Sequence, residues 1–205
     1  GLSPIFAASL RFLLASAALL GFLCLARVPL ARPTPAQWLQ LMLLGLFGIF
    51  FYNLCFFYGL QYINASRASL IVALNPAVIG LASWLLFKER FSRGKWLGIA
   101  LCLGGAATVI VSRNPQLLQG SAQAWRGDLL IFGCVLSWGV YSLFSRGLNQ
   151  SIGPLQTVTF SVLIGSGMLW ALATLRGEVS GTALINLGTP QWLSLIYLGV
   201  LGSAL

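Results

Sequence analysis

The chain has 205 residues, of which 58% are apolar and only 7% charged, with a net charge of +9 and a mean hydropathy of +0.90. Soluble domains carry about 25% charge because a water-facing surface must be solvated, so this composition excludes a water-soluble globule and makes lipid the main solvent. The positive charge does not point to nucleic acid, because the basic residues stand singly or in short clusters between apolar runs, as membrane-flanking residues do.

A spanning helix needs about 20 apolar residues, since the hydrocarbon core is about 30 Å thick and the helix rises about 1.5 Å per residue. The first such run extends from Pro4 to about Ala26, broken only by Arg11. No basic segment precedes it, so it does not read as a signal peptide. A loop with Arg27, Arg32, Pro33 and Pro35 follows, and a second helix ends near Leu60, where Gln61, Asn64 and Ser66 supply turn chemistry. The third helix is expected from Ala65 to Phe87 with Pro76 in its interior, and the fourth from Gly94 to Ser112 after the basic stretch Lys88 to Lys95. A polar loop, Arg113 to Gly127, leads to a fifth helix from Asp128 to about Ser145. The sixth covers Pro154 to about Leu175, and the seventh begins near Pro190. The expected fold is an all-α, polytopic transmembrane helix bundle with about seven helices present. Gly1 opens the chain and Leu201 to Leu205 close it inside an apolar run, so a piece cut at both ends is expected.

Arg27, Arg32, Lys88, Arg90, Arg93, Lys95 and Arg146 collect on one side of the membrane, and Arg67, Arg113, Arg126 and Arg176 on the other. The richer side is assigned to the cytoplasm, so the chain begins outside. Cys24, Cys55, Cys102 and Cys134 lie in apolar stretches without metal or redox spacing and read as small buried hydrophobes. With no histidine, and with acids only at helix ends, neither an enzyme, a cofactor nor a metal site is expected.

The chain repeats itself. Thr34-Pro35-Ala36-Gln37-Trp38-Leu39-Gln40-Leu41, followed by Gly45 and Gly48, returns as Thr189-Pro190-Gln191-Trp192-Leu193-Ser194-Leu195, followed by Gly199 and Gly202. A Pro-led apolar helix precedes each copy. The offset spans five helices, an odd number, so the second copy must enter the membrane from the opposite side. That is an inverted repeat, an architecture that sets a substrate site near the midplane between halves. The expected division is a first repeat over 1–113 lacking its opening helix, a connecting loop over 114–127, and a truncated second repeat over 128–205.

Ala65-Ser66-Arg67-Ala68-Ser69-Leu70-Ile71, Leu74-Asn75-Pro76, Leu86-Phe87-Lys88-Glu89-Arg90, Gly98, Gly104-Gly105 and Ser137-Trp138-Gly139 together resemble the EamA-type transporters of the drug/metabolite transporter superfamily. The resemblance implies a five-plus-five helix permease in the cytoplasmic (inner) membrane, carrying small metabolites such as amino acids by alternating access, with efflux as the expected direction. The lipid bilayer and a small-molecule metabolite are the partners so implied, and a homodimer is carried as an expectation. A non-transporting structural or assembly protein, or another carrier of the superfamily such as a nucleotide-sugar transporter, stays open as the alternative.

Candidate residues follow from what is costly or unusual in a bilayer. Arg11 sits roughly 10 Å into its helix, where a central arginine costs about 2.5–3.5 kcal/mol on insertion scales. It is a candidate anion contact, although a packing or snorkelling arginine is favoured on sequence alone. Pro76 removes a backbone donor and frees a carbonyl, and Asn75 beside it could meet either substrate or that broken backbone. Tyr52, Asn53, Trp138 and Tyr141 are candidate cavity residues, since aromatic rings with a polar edge suit weak binding of amphiphilic solutes; packing is the commoner use of such residues. Glu89 reads as an interfacial ion pair and Asp128 as a helix-opening cap. Asn64 starts a glycosylation sequon too tight against the membrane to serve as an acceptor.

Overall fold

A computed structural model describes residues 3–88, 92–113, 123–179 and 188–200. Seven helices lie among the described residues, in the places the apolar runs predict: α1 (Pro4–Leu25), α2 (Pro35–Gly59), α3 (Ala65–Phe87), α4 (Arg93–Arg113), α5 (Ala124–Ser151), α6 (Pro154–Leu175) and α7 (Thr189–Val200). Five of them, α1, α2, α3, α5 and α6, are long and apolar enough to cross a membrane. The chain is an all-α, multi-pass membrane bundle.

Polarity runs inside out. Leu25, Leu101, Leu129, Phe144 and Leu175 are exposed, whereas Ser9, Thr157, Thr159, Ser161 and Ser166 are fully buried. Water would reverse that distribution; lipid does not, because it leaves apolar side chains at no disadvantage outside. The buried hydroxyls donate back to their own helices, as from Ser16 to Phe12 O (2.8 Å) and from Thr159 to Leu155 O (2.7 Å). Their small size lets helix backbones approach.

Helix starts are built from local chemistry. Ser3 caps α1 by accepting from Phe6 N at 3.2 Å, with Pro4 in the first turn. Thr34 and Gln37 form a reciprocal capping box on α2, again with a proline in the first turn. Asn64, the sequon residue, is occupied as the cap of α3, its Oδ1 accepting from Arg67 N at 2.9 Å.

The chain packs as two compact units, Gly1–Asn53 with Phe144–Leu205, and Leu54–Leu143; the divisions fall inside α2 and α5. In the first unit α1 and α6 lie antiparallel. Ser3 at the start of α1 donates to Glu178 just past the end of α6 (2.6 Å), and Phe6 meets Trp170 at 5.7 Å between ring centroids. Gln156, at the start of α6, accepts from Ala31 N (2.6 Å) and donates to Pro29 O (3.0 Å), satisfying the loop that follows α1.

One contact in this unit is made twice. A Cβ on Gly45 of α2 would meet Ser161 O, Ile164 and Gly165 N of α6, and one on Gly199 of α7 would meet Arg11 O, Leu14 and Ala15 N of α1. Arg11, Leu14 and Ala15 precede Ser161, Ile164 and Gly165 by the same 150 positions that separate Ser16 from Ser166, whose hydroxyls touch at 3.4 Å. Residues that the sequence repeat would make equivalent, Ser16 and Ser166, thus meet each other there.

Three expectations are corrected. α5 begins at Ala124 and runs to Ser151, longer at both ends than 128–145. Asp128 is therefore not a cap: it lies inside the first turns and pairs with Arg67. Cys24 is exposed rather than buried, while Cys55 and Cys134 are buried as expected. Glu89 and the side chain of Cys102 lie outside the described residues.

Candidate functional site

The second unit contains a spanning helix that is not continuous. α3 consists of Ala65–Val72 and Asn75–Phe87, joined by a turn at Ala73 and Leu74. Pro76, in the first turn of the second segment, cannot donate to the turn before it and its ring crowds that carbonyl. Ala73 N bonds back to Ser69 O (2.9 Å) and Leu74 N to Ile71 O (3.0 Å), closing the first segment. The Asn75 Oδ1 at the break is buried and has no hydrogen-bond partner among the described residues. An unpaired carbonyl out of water is costly, so such an acceptor is a place where a donor is wanted.

The second segment of α3 runs beside α5. A Cβ on Gly139 would lie 3.8 Å from the Val78 side chain, and Val78 shares a helix face with Asn75 one turn earlier. Next to Gly139, the rings of Trp138 and Tyr141 stack at 5.2 Å with their planes 23° apart. The structure thus brings Asn75, Pro76, Trp138 and Tyr141 onto two neighbouring helix segments in one unit. Towards its start, α5 packs closely on the end of α2 and the loop after it: a Cβ on Gly59 would strike Ile131, and one on Gly127 would strike Ile63 and Tyr62.

Nothing in the sequence pattern announced the ion pair at the end of this unit. Arg67 donates to Asp128 in fork geometry, from Nε to Oδ1 at 2.8 Å and from Nη2 to Oδ2 at 2.6 Å. It ties the first segment of α3, on the far side of the break from Asn75, to the start of α5.

The other candidates belong to the first unit. Arg11 is half-buried on α1, its guanidinium 4.5 Å from the Phe12 ring, and its Nε is buried with no acceptor among the described residues. Tyr52 lies within electrostatic reach of it. Asn53 is buried and donates Nδ2 to Ile49 O at 2.6 Å, so its amide is used by the backbone of α2. That carbonyl belongs to a π-helical turn, Leu46–Phe51, directly before Tyr52. A wider turn shifts the residues that follow around the helix and frees carbonyls, and such turns recur at functional sites. Gly45 and Gly48 are the only hints of it in the sequence.

Residues 1–111 and 125–205 match the EamA-like transporter family. The chain is 26% identical over 203 residues to the uncharacterized transporter YyaM of Bacillus subtilis (strain 168), covering 99% of this chain and 66% of that protein. It is 31% identical over 203 residues to the uncharacterized transporter YdfC of the same organism, covering 98% and 62%. A protein crystal structure superposes with a TM-score of 0.77 at 25% identity, over 98% of this chain and 66% of that one. The chain thus spans about two thirds of the length of these relatives.

Proposed function

We propose a secondary-carrier function for this chain, which belongs to the EamA-like transporter family. In this reading it moves small metabolites such as amino acids across the cytoplasmic membrane by alternating access, outward, with the substrate near the midplane between inverted halves. The observation that carries the proposal is the break in α3, where a buried Asn75 Oδ1 beside Pro76 has no partner among the described residues. Backbone irregularity at membrane depth is tolerated where it is enclosed by protein or lines a cavity, and carriers place substrate at such discontinuities. A purely structural or assembly role would leave this interruption without a use.

In this mechanism Asn75 accepts a hydrogen bond from the solute, and the stacked Trp138 and Tyr141 offer apolar contact with a polar edge. Weak binding by few groups suits a carrier, which must release what it binds. The test is flux in proteoliposomes holding the full-length protein, with a panel of amino acids and related metabolites. Combined Asn75→Ala and Trp138→Ala should cut flux at least about tenfold, the loss of roughly one hydrogen bond and one ring contact, while insertion and yield are kept. Unchanged flux would remove these residues from the site.

A further inference from the structure

We propose that Cys55 and Cys134 form a reversible redox site, in which a lipid-soluble hydroperoxide joins their thiols in a disulfide that ties α2 to α5. The inference goes beyond the carrier reading and does not depend on what is carried.

The two cysteines stand 79 positions apart in the sequence. Folding brings them together within the second unit, both buried, neither in a disulfide, with one thiol donating a hydrogen bond to the other. The chain around Cys55 runs antiparallel to α5. Ile63 meets Gly127, Gly59 meets Ile131, and the Cys55 Sγ lies 3.4 Å from where a Cβ on Gly133 would be. A disulfide needs Cα atoms about 4.4–6.8 Å apart, and so helices in close backbone contact. Glycines provide it: a Cβ on Gly127 would lie 3.0 Å from Gly59 O, and one on Gly59 would lie 3.3 Å from Gly127 O.

The plainer reading is that two small residues fill a tight interface. Serine meets that need equally, as at buried Ser137 one turn later on α5. Small size alone does not call for one sulfur against another. Cys134 also precedes Trp138 by one turn on the same face, so a bond to Cys55 would fix the stretch of α5 that carries the stacked rings.

The oxidant is an apolar organic hydroperoxide, which dissolves in the lipid around these helices. Cys55 is 6% exposed and Cys134 0%, so Cys55 is met first. Its sulfur attacks the peroxide oxygen and the O–O bond breaks; the thiol proton goes to the departing alkoxide, leaving a sulfenic acid and an alcohol. The Cys134 sulfur then attacks the sulfenic sulfur. The S–S bond forms, the S–O bond breaks, and the Cys134 proton leaves with the hydroxide as water. Two thiols lose two electrons and one hydroperoxide gains them.

The experiment treats the purified full-length protein in lipid nanodiscs with cumene hydroperoxide, then alkylates free thiols and maps unreduced peptides by mass spectrometry. A Cys55–Cys134 linked peptide should form, with one hydroperoxide consumed per link, and dithiothreitol should remove it. The linked protein should melt about 4–10 °C above the reduced one. Cys55→Ser and Cys134→Ser, which keep the side chains small, should each abolish both the link and the shift. Thiols of Cys55 and Cys134 that stay open to alkylation overturn the proposal, as does their separate oxidation to sulfinic or sulfonic acid. Joining of either one to the exposed Cys24 in place of the other overturns it too. A linked product that melts below the reduced protein was made by distorting the helices, and also overturns it. The peptide map uses unaltered protein, so a misfolded variant cannot hide the answer.

Discussion

A charged pair at the edge of a membrane stabilises only what its geometry and its exposure to water allow. The side chains of Arg67 and Asp128 are 23% and 31% exposed, and their two bonds form a fork. Fully exposed pairs contribute about 0.2–1 kcal/mol, and breaking a buried pair costs about 3–5 kcal/mol. We therefore expect Arg67→Gln or Asp128→Asn to destabilise by about 1–2 kcal/mol, with the double variant little worse than either single one. Titration with SDS in mixed micelles measures all four proteins, and additive losses would show that the two residues act independently. The pair also shows why residue roles are hard to read from a sequence. Arg67 and Asp128 are 61 positions apart, and an acid near an apolar run reads as a cap until the helix is seen to start earlier. Arg11 and Asn75, in contrast, were legible because an ion or an Asn-Pro inside a lipid-spanning run is costly wherever it falls.

At the scale of elements, α2 and α6 pack backbone to backbone. A Cβ on Gly165 would strike Ile49 Cβ and lie 2.8 Å from Gly45 O, the second of these a backbone atom that cannot yield alone. Gly167, two residues on, has nothing within 4 Å. Gly165→Ala should thus separate the helices and destabilise by about 1–3 kcal/mol, while Gly167→Ala is neutral. Thermal unfolding in detergent compares them, and equal effects would mean that helix propensity, not contact, governs both. The Leu46–Phe51 turn sits in this interface, and its distortion was not legible because π geometry has no composition of its own. Helix positions were legible, since apolar runs with a proline in the first turn mark where α1, α2 and α6 begin. The ends of α5 were not, because a helix can continue past the hydrocarbon through Trp125 and Arg126 at one end and Leu148 to Ser151 at the other. Hydropathy stops where lipid stops.

For the molecule as a whole, the direction of the second copy is the property with the most consequence. Two copies of one helix pair can be related by an axis along the membrane normal or by one in its plane, and only the second turns the copy over. The antiparallel run of α1 and α6, with Ser3 meeting Glu178 and Ser16 meeting Ser166, favours the axis in the plane. It places the loop after α1, with Arg27 and Arg32, and the loop after α6, with Arg176, on opposite faces. On the positive-inside rule we propose that Arg32 faces the cytoplasm. We expect a cysteine at Arg32 to react with a membrane-impermeant maleimide only after cells are opened, and one at Gly177 to react in intact cells. Both are placed in a full-length background whose native cysteines are replaced, since Cys24 is exposed. Labelling of the two sites from the same side would refute the inversion and, with it, a midplane site between inverted halves. Labelling from opposite sides, but with Gly177 inside, would keep the inversion and reverse only the orientation drawn from charge. The two conclusions rest on different physics, packing in one case and translocation of charge in the other, so one labelling pair tests them apart.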